Sequence, residues 1–112
     1  MVDHVALLEG VDGDQHLLRE LIRVFLADCP KRLADIKEAI HRGDAGALTR
    51  AAHTLKGSVG NFAAKKAFVT AQLLENLGRD GNLGAARDAC GTLESELEFL
   101  SEELRKLTAN EA

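Results

Sequence analysis

The sequence has almost no proline and none of the features of a membrane or exported protein. Its 112 residues include one Pro and neither Trp nor Tyr. No apolar run is long enough to span a bilayer, and no basic start is followed by an apolar signal core. The formal net charge is -4, whereas a nucleic-acid partner requires a concentrated Lys and Arg face. We therefore expect neither membrane insertion nor a nucleic-acid partner.

Cysteine is also scarce, which excludes a disulfide framework. Cys29 and Cys90 form no CxxC pair, so they favour a protein of the reducing cytoplasm, and their apolar neighbours indicate small core residues. No Cys and no second His lies at ligand spacing from His4, His16 or His41. We expect no metal site.

The core must instead be built from small and unbranched apolar side chains. Hydrophobic residues make up 46% of the chain, and only four of them are Phe. Leu, Ala, Ile and Val therefore supply most of the core, a mixture that favours helix over strand. The length suits one domain, and the composition predicts an all-α fold.

Apolar residues recur at helical spacing in four stretches. The first runs from Asp14 to Gly43, and we predict that Pro30 splits or kinks it by starting a second segment. The second follows Asp44, a good N-cap, and has a buried face formed by Leu48, Ala52, Leu55, Val59 and Phe62. The third runs from about Ala64 to Leu77 and closes at Gly78, and the fourth runs from Leu83 to Leu107.

Short turns between these stretches make successive helices antiparallel neighbours. We predict an antiparallel up-and-down four-helix bundle with a short N-terminal helical segment. The single domain covers 1–112, with a turn or short helix at 1–13, the bundle at 14–107 and a frayed tail at 108–112. The regular Leu stripe of the fourth helix would also permit dimerisation, but three helices of the same chain can cover it, so we expect a monomer.

One segment of the second helix is not explained by packing. His53, Lys56, Gly57 and Gly60 have the relative spacing 0, 3, 4, 7, which places them on one helix face. A Gly within a helix costs about 1 kcal/mol relative to Ala, and this segment holds two. The centre of the stripe lies roughly 130° from the apolar face, so His53 should point to solvent. Close helix packing is the alternative explanation for the glycines.

This arrangement suits a histidine that accepts a phosphoryl group. A neutral imidazole can attack phosphorus, and Lys56, one turn along, can pair with the phosphoryl oxygens. Gly57 and Gly60 leave room for another protein's active site to close over His53. The sequence has no P-loop, no Walker lysine motif and no kinase-type glycine loop, so we expect no ATP-dependent kinase activity. The phosphoryl group must come from a partner protein.

The run from His53 to Gly60 resembles the signature of histidine-containing phosphotransfer (HPt) domains, His-x-Leu-Lys-Gly followed by small residues. The resemblance covers nearly the whole chain, including Gly13–Phe25 before the motif and Leu74–Arg79 after it. It implies a carrier of multistep phosphorelays that takes phosphate from an aspartyl-phosphate on one receiver domain and passes it to another. His53 would be the phosphoacceptor and Lys56 its charge partner.

The resemblance also implies the partners and the cofactor. The partners would be response-regulator receiver domains and a hybrid sensor histidine kinase, and the receiver would supply Mg²⁺, since the domain has no cofactor of its own. The alternative is an adaptor that binds receiver or kinase domains through the same face without phosphate turnover.

A second row of residues could flank the motif helix. Phe68, Gln72, Glu75 and Arg79 recur at steps of four, three and four. They could dock a partner or orient the imidazole, although a plain surface edge, with Phe68 in the core, fits equally well. Many family members have a polar residue, often Gln, at the position of Glu75. A carboxylate there would orient the ring but also repel phosphate.

Overall fold

The computed structural model describes residues 7, 9–62 and 64–109, and these form four helices joined by tight turns. The helices are α1 (Gln15–Arg42), α2 (Ala45–Gly60), α3 (Lys65–Asp80) and α4 (Leu83–Ala109). Each helix packs on the next, and α4 packs back on α1. The described residues contain no strand. The predicted all-α, up-and-down four-helix bundle is confirmed.

Capping side chains determine where three of the helices begin. Asp14 accepts a hydrogen bond from the backbone N–H of Leu17 at 3.0 Å, and Asp44 does the same for Ala47 at 3.0 Å. Asn82 caps α4 by accepting from Ala85 N–H at 3.2 Å. Each cap satisfies a backbone donor that the first helical turn leaves unpaired. The predicted N-cap at Asp44 is confirmed.

Pro30 does not divide the first helix, so the prediction of a split there is wrong, whereas the alternative of a kink stays a prediction. Pro30 lies within the continuous helix α1, on its exposed side. Proline removes an N–H donor and typically costs about 3 kcal/mol inside a helix. Phe25 and Cys29 before it and Ile36 after it are buried on the same face, so packing holds both halves of α1 in one helix.

The third helix ends later than predicted. It continues through Gly78 to Asp80, and Gly81, with φ of 72°, adopts the left-handed conformation that caps it. Gly78 is buried where α3 meets α2. A Cβ added at Gly78 would lie 2.5 Å from Thr49 Oγ1 and 2.9 Å from Thr49 N. Gly78 therefore allows α2 and α3 to approach closely. The sequence pattern predicted instead that Gly78 ends the helix.

The core is a single cluster formed by all four helices. The predicted apolar residues of the second stretch are all buried, but α2 ends at Gly60, so Phe62 lies in the turn after the helix and not within it as predicted. The Phe62 ring packs against Phe25 with ring centroids 5.0 Å apart. The apolar stripe of α4 packs into the same core, where residues of the other helices of this chain cover it. Cys29 and Cys90 are free and buried, as predicted, and burial raises the pKa of both thiols.

The two chain ends are described only in part. Residues 1–6 and 8 of the predicted N-terminal segment lie outside the described residues, as does His4, whereas residues 7, 9 and 10 are helical and Leu7 is buried. At the other end, α4 continues beyond Leu107 through Ala109. The Thr108 hydroxyl donates to the carbonyl of Arg105 at 2.9 Å, which supports this last turn. Residues 110–112 of the predicted tail lie outside the description.

Candidate functional site

The imidazole of His53 projects from the middle of α2 on the side away from the core. Its side chain is 66% exposed, while Ala52 and Leu55 on the opposite face are fully buried. The predicted orientation of His53 toward solvent is confirmed. The helix itself enforces this orientation, because its apolar residues bury one face and leave the other free.

A buried carboxylate from α3 holds one nitrogen of this ring. The side chain of Glu75 is 2% exposed, and its Oε1 lies 3.2 Å from His53 Nδ1 and 2.8 Å from Lys56 Nζ. Its other oxygen, Oε2, accepts from the guanidinium of Arg79. The hydrogen bond from Lys56 lowers the pKa of Glu75 most; burial opposes it, and the His53 bond and the two cations lower it further. Glu75 is therefore ionised at neutral pH.

The charge on Glu75 determines which imidazole nitrogen is reactive. A carboxylate only accepts hydrogen bonds, so the proton of a neutral His53 ring must be on Nδ1. The lone pair is then on Nε2. Because Nδ1 faces the protein, Nε2 is the nitrogen directed toward solvent. The site thus presents an unprotonated nitrogen that can attack an electrophile brought by another molecule.

Lys56 is held beside this carboxylate and is only 18% exposed. Its ammonium donates to Gln72 Oε1 at 2.9 Å as well as to Glu75. Gln72 in turn donates to Asn76 Oδ1 at 3.0 Å, which fixes the Gln72 amide. An ammonium has three donors, so one remains for a further acceptor near the His53 ring.

The two glycines of the motif have different surroundings. A Cβ added at Gly57 would meet nothing within 4 Å, so the packing explanation is wrong for Gly57, and its face is open. A Cβ at Gly60 would lie 3.6 Å from the ring of Phe68, an ordinary contact distance. Phe68 is 39% exposed, so it is not a core residue but an aromatic edge of the open surface.

The structure brings together the residues that the sequence placed in the motif and in the row beside it, and it places Glu75 at the centre of their contacts. Gln72 and Glu75 contact Lys56, Phe68 lies beside Gly60, and Arg79 binds Glu75. The position of Glu75 on the buried face of α3 was visible in the sequence, because the apolar residues Ala71 and Leu74 and the close-packed Gly78 share that face. A charged residue on a buried face needs charged or hydrogen-bonding partners. The sequence analysis did not use this requirement to predict that Glu75 pairs with nearby cations. Asn76 was also missed, and only its contact with Gln72 reveals it.

The depressed pKa of Glu75 gives the domain a pH-dependent contribution to stability. The folded pKa lies below the ordinary value of 4.5, so this contribution is fully present above pH 4.5 and is lost as the pH falls through the folded pKa. We expect the difference in unfolding free energy between the parent and Glu75→Gln to shrink over that range. Denaturant titrations from pH 7 to pH 3 measure it. The exposed Glu102→Gln is the control, and an equal trend in both variants would contradict the assignment.

Comparison with known proteins identifies the family. The sequence model of the Hpt domain family matches residues 20–103. The chain therefore belongs to the Hpt domain family, and it is a histidine phosphotransfer protein of phosphorelays. Domains of this family interact with receiver domains and hybrid kinases. A comparison with curated proteins gave no significant match.

Solved structures of the same family share this fold. One is histidine-containing phosphotransfer protein B (HptB) from Pseudomonas aeruginosa PAO1, with 25% identity, a TM-score of 0.90 and coverage of 97% of this chain and 95% of that chain. Another is the HPT domain of the Hpt sensor hybrid histidine kinase from Shewanella, with 14% identity, a TM-score of 0.85 and coverage of 97% and 94%. Because the identity to the Shewanella domain is only 14%, that similarity supports the fold alone.

Within residues 7, 9–62 and 64–109, no group of three or more His, Cys, Asp or Glu side chains is arranged to hold a metal ion. No helix in the same part of the chain is long and apolar enough to cross a membrane.

Proposed function

We propose that His53 is the phosphoacceptor and that it carries the phosphoryl group on Nε2 between receiver domains. The observation that carries this proposal is the hydrogen bond between His53 Nδ1 and the buried Glu75, which leaves Nε2 unprotonated on an exposed ring. The donor is an aspartyl-phosphate on a receiver domain. The acceptor is the aspartate of another receiver, reached by the reverse of the same step.

The step needs no proton transfer. The Nε2 lone pair attacks phosphorus, the P–O bond to the donor aspartate breaks, and that carboxylate leaves with the electron pair. The imidazole keeps its proton on Nδ1 and becomes cationic. Glu75 faces that proton, so its negative charge stabilises the ring as positive charge develops, as the buried carboxylate of a Ser-His-Asp triad does.

The cations around Glu75 offset the electrostatic repulsion between its carboxylate and an arriving phosphoryl group. Lys56 and Arg79 both contact Glu75, so the cluster carries one more positive than negative charge before His53 reacts. The arriving phosphoryl group brings roughly two negative charges. Lys56 is fixed with one donor to spare, and Arg79 is more exposed. We propose that Lys56 pairs with the phosphoryl oxygens.

Other parts of the reaction belong to the partner. We propose that the receiver supplies Mg²⁺ and its own acidic pocket, while this domain supplies the nucleophile and an open face at Gly57. Phosphoryl transfer consists largely of positioning and charge neutralisation, so half a site on each protein is sufficient. We further propose that the domain acts as a monomer in the cytoplasm, a location that its two free buried cysteines favour.

Phosphate labelling tests the proposed function. Incubation with a phosphorylated receiver domain and Mg²⁺ should label the protein with phosphate that is lost in acid and retained in alkali, as expected of a phosphoramidate. An adaptor without phosphate turnover would bind the receiver and take up no label. Acid-stable label would contradict a phosphohistidine.

Lys56→Ala should slow phosphate transfer without unfolding the domain. The substitution removes the ammonium that shares Glu75 Oε1 with the His53 ring, and loss of one charge-stabilising donor at a reacting centre typically costs about 10²-fold in rate. Rapid-quench kinetics with a phosphorylated receiver measure the change, and circular dichroism checks the fold.

Lys65→Ala is the matched control, because Lys65 is an exposed lysine at the start of α3. It should transfer at the parent rate. A Lys56→Ala rate equal to that of the control would remove Lys56 from the mechanism.

A further inference from the structure

A charged groove runs between α1 and α2 on the side of His53 away from Glu75. It encloses about 330 Å³ and is lined by three arginines, two carboxylates and Thr54. The arginines are Arg32, Arg42 and Arg50, and the carboxylates are Asp35 and Glu38. None of these residues belongs to the cluster around Glu75, and the proposed transfer step does not use them.

The three arginines have no carboxylate partner in the described part of the chain. In that part of the chain Arg23 pairs with Glu20 and Arg79 pairs with Glu75, and both ion pairs lie outside the groove. Arg32 is half-buried, Arg42 and Arg50 are exposed, and none of the three forms an ion pair with Asp35 or Glu38 in the same groove. Buried and partly buried charges are normally paired. The groove therefore has unused capacity to bind anionic groups.

This groove opens beside the proposed phosphoacceptor. Arg50 precedes His53 by three residues, or one helical turn, and Thr54 follows it directly. Arg50 Nη1 lies 3.4 Å from the position of a Cβ at Gly46, so the absence of a side chain there leaves space for the guanidinium along α2. Arg32 also borders a smaller cavity lined by Leu55 and Ser58, at the level of His53 along the helix. A protein docked over His53 would reach the groove.

The net charges of the helices also favour an anionic partner on the side of the bundle that carries His53. Helices α2 and α3 together contain five basic and two acidic residues, a net charge of +3, whereas α4 contains three basic and six acidic residues, a net charge of -3. The whole chain is acidic at -4. Because α4 packs on α1 and α3, it lies diagonally across the bundle from α2. The molecule is thus polarised, and its positive side carries His53.

We infer that the α1–α2 groove is a specificity surface that binds acidic side chains at the edge of the receiver domain docked over His53. The inference rests on the proposed function and deepens it by naming the chemistry of the partner's contact edge. Unpaired guanidiniums attract carboxylates as bidentate acceptors. Asp35 and Glu38 make the groove selective, because they repel a partner whose carboxylates are placed against them.

Charge reversal in the groove tests this inference. The double variant Arg42→Glu/Arg50→Glu is compared with Arg87→Glu/Lys106→Glu, which changes the net charge equally through exposed residues of α4. The receiver domain that labels the parent fastest serves as one phosphodonor. Phosphoramidate, which loses ammonia as its P–N bond breaks and needs no docking surface, serves as the other. Circular dichroism confirms the fold of both variants.

The informative quantity is the receiver-dependent labelling rate divided by the phosphoramidate-dependent rate. In the groove variant this ratio should fall about tenfold or more at low ionic strength, and the receiver-dependent rate should become less sensitive to salt. In the α4 variant the ratio should stay within about twofold of the parent value. An unchanged ratio in the groove variant, or an equal fall in both variants, would overturn the inference. Failure of the proposed function looks different, because the parent would then take up no phosphate from any receiver domain, whatever its labelling by phosphoramidate.

Discussion

His53→Gln is expected to leave the domain folded and to abolish phosphate labelling from every donor. The substitution removes the proposed nucleophile, and the loss should be at least about 10³-fold because no other described side chain presents an unprotonated nitrogen held by a buried carboxylate. The ring is largely exposed, so the change removes little buried surface. Labelling followed by quantitative mass spectrometry measures the effect.

His16→Gln is the matched control, since His16 is an exposed histidine on α1 outside the site. It should label at the parent rate. Undiminished labelling of His53→Gln would make another residue the acceptor, and a loss of labelling in both variants would point to a general loss of structure.

Gly78→Ala should destabilise the domain even though alanine is the better helix former. The new Cβ would lie 2.5 Å from Thr49 Oγ1, 2.9 Å from Thr49 N and 3.1 Å from Ala45 O. Rotation of Thr49 could move its hydroxyl but not the two backbone atoms, so α2 and α3 must separate. Overpacking of this kind typically costs about 1–3 kcal/mol. Denaturant and thermal unfolding measure the free energy of unfolding and the Tm.

Gly57→Ala is the control, and its expected effect on the free energy of unfolding has the opposite sign. It lies in α2 with nothing within 4 Å of the added Cβ, so the helix should gain about 0.5–1 kcal/mol from the better helix former. The Tm of Gly57→Ala should therefore rise while that of Gly78→Ala falls. A fall of equal size in both variants would mean that the helix contact at Gly78 is not the cause.

The fold was predictable from the sequence because local signals agree with one another. The four apolar stripes have the helical period, Asp44 starts α2, and the glycines between stripes permit tight turns, so an up-and-down bundle follows. The errors occurred where tertiary packing overrides a local preference. Pro30 normally ends a helix, but buried residues on both sides keep α1 continuous. Gly78 is the kind of residue that ends a helix, yet it is required inside α3 for close approach to Thr49.

The candidate site was predicted in part. The stripe of His53, Lys56 and Gly57 follows from spacing on a single helix, since residues three and four apart share a face. The function of Glu75 could not be decided in the same way. In the sequence, Glu75 is 22 positions from His53, and its effect on the ring depends on whether it is charged. That charge depends on Lys56 and Arg79, which reach it from two helices.

The sequence therefore determined the helices, the buried face of each and the exposed histidine, because these depend on period and capping within one segment. Only the tertiary structure decided which nitrogen of His53 is free and how Glu75 stays ionised. It also showed that unpaired arginines line the groove next to the site. Each of these depends on distances and burial between helices. Spacing along one helix does not specify how α1 and α3 lie against α2.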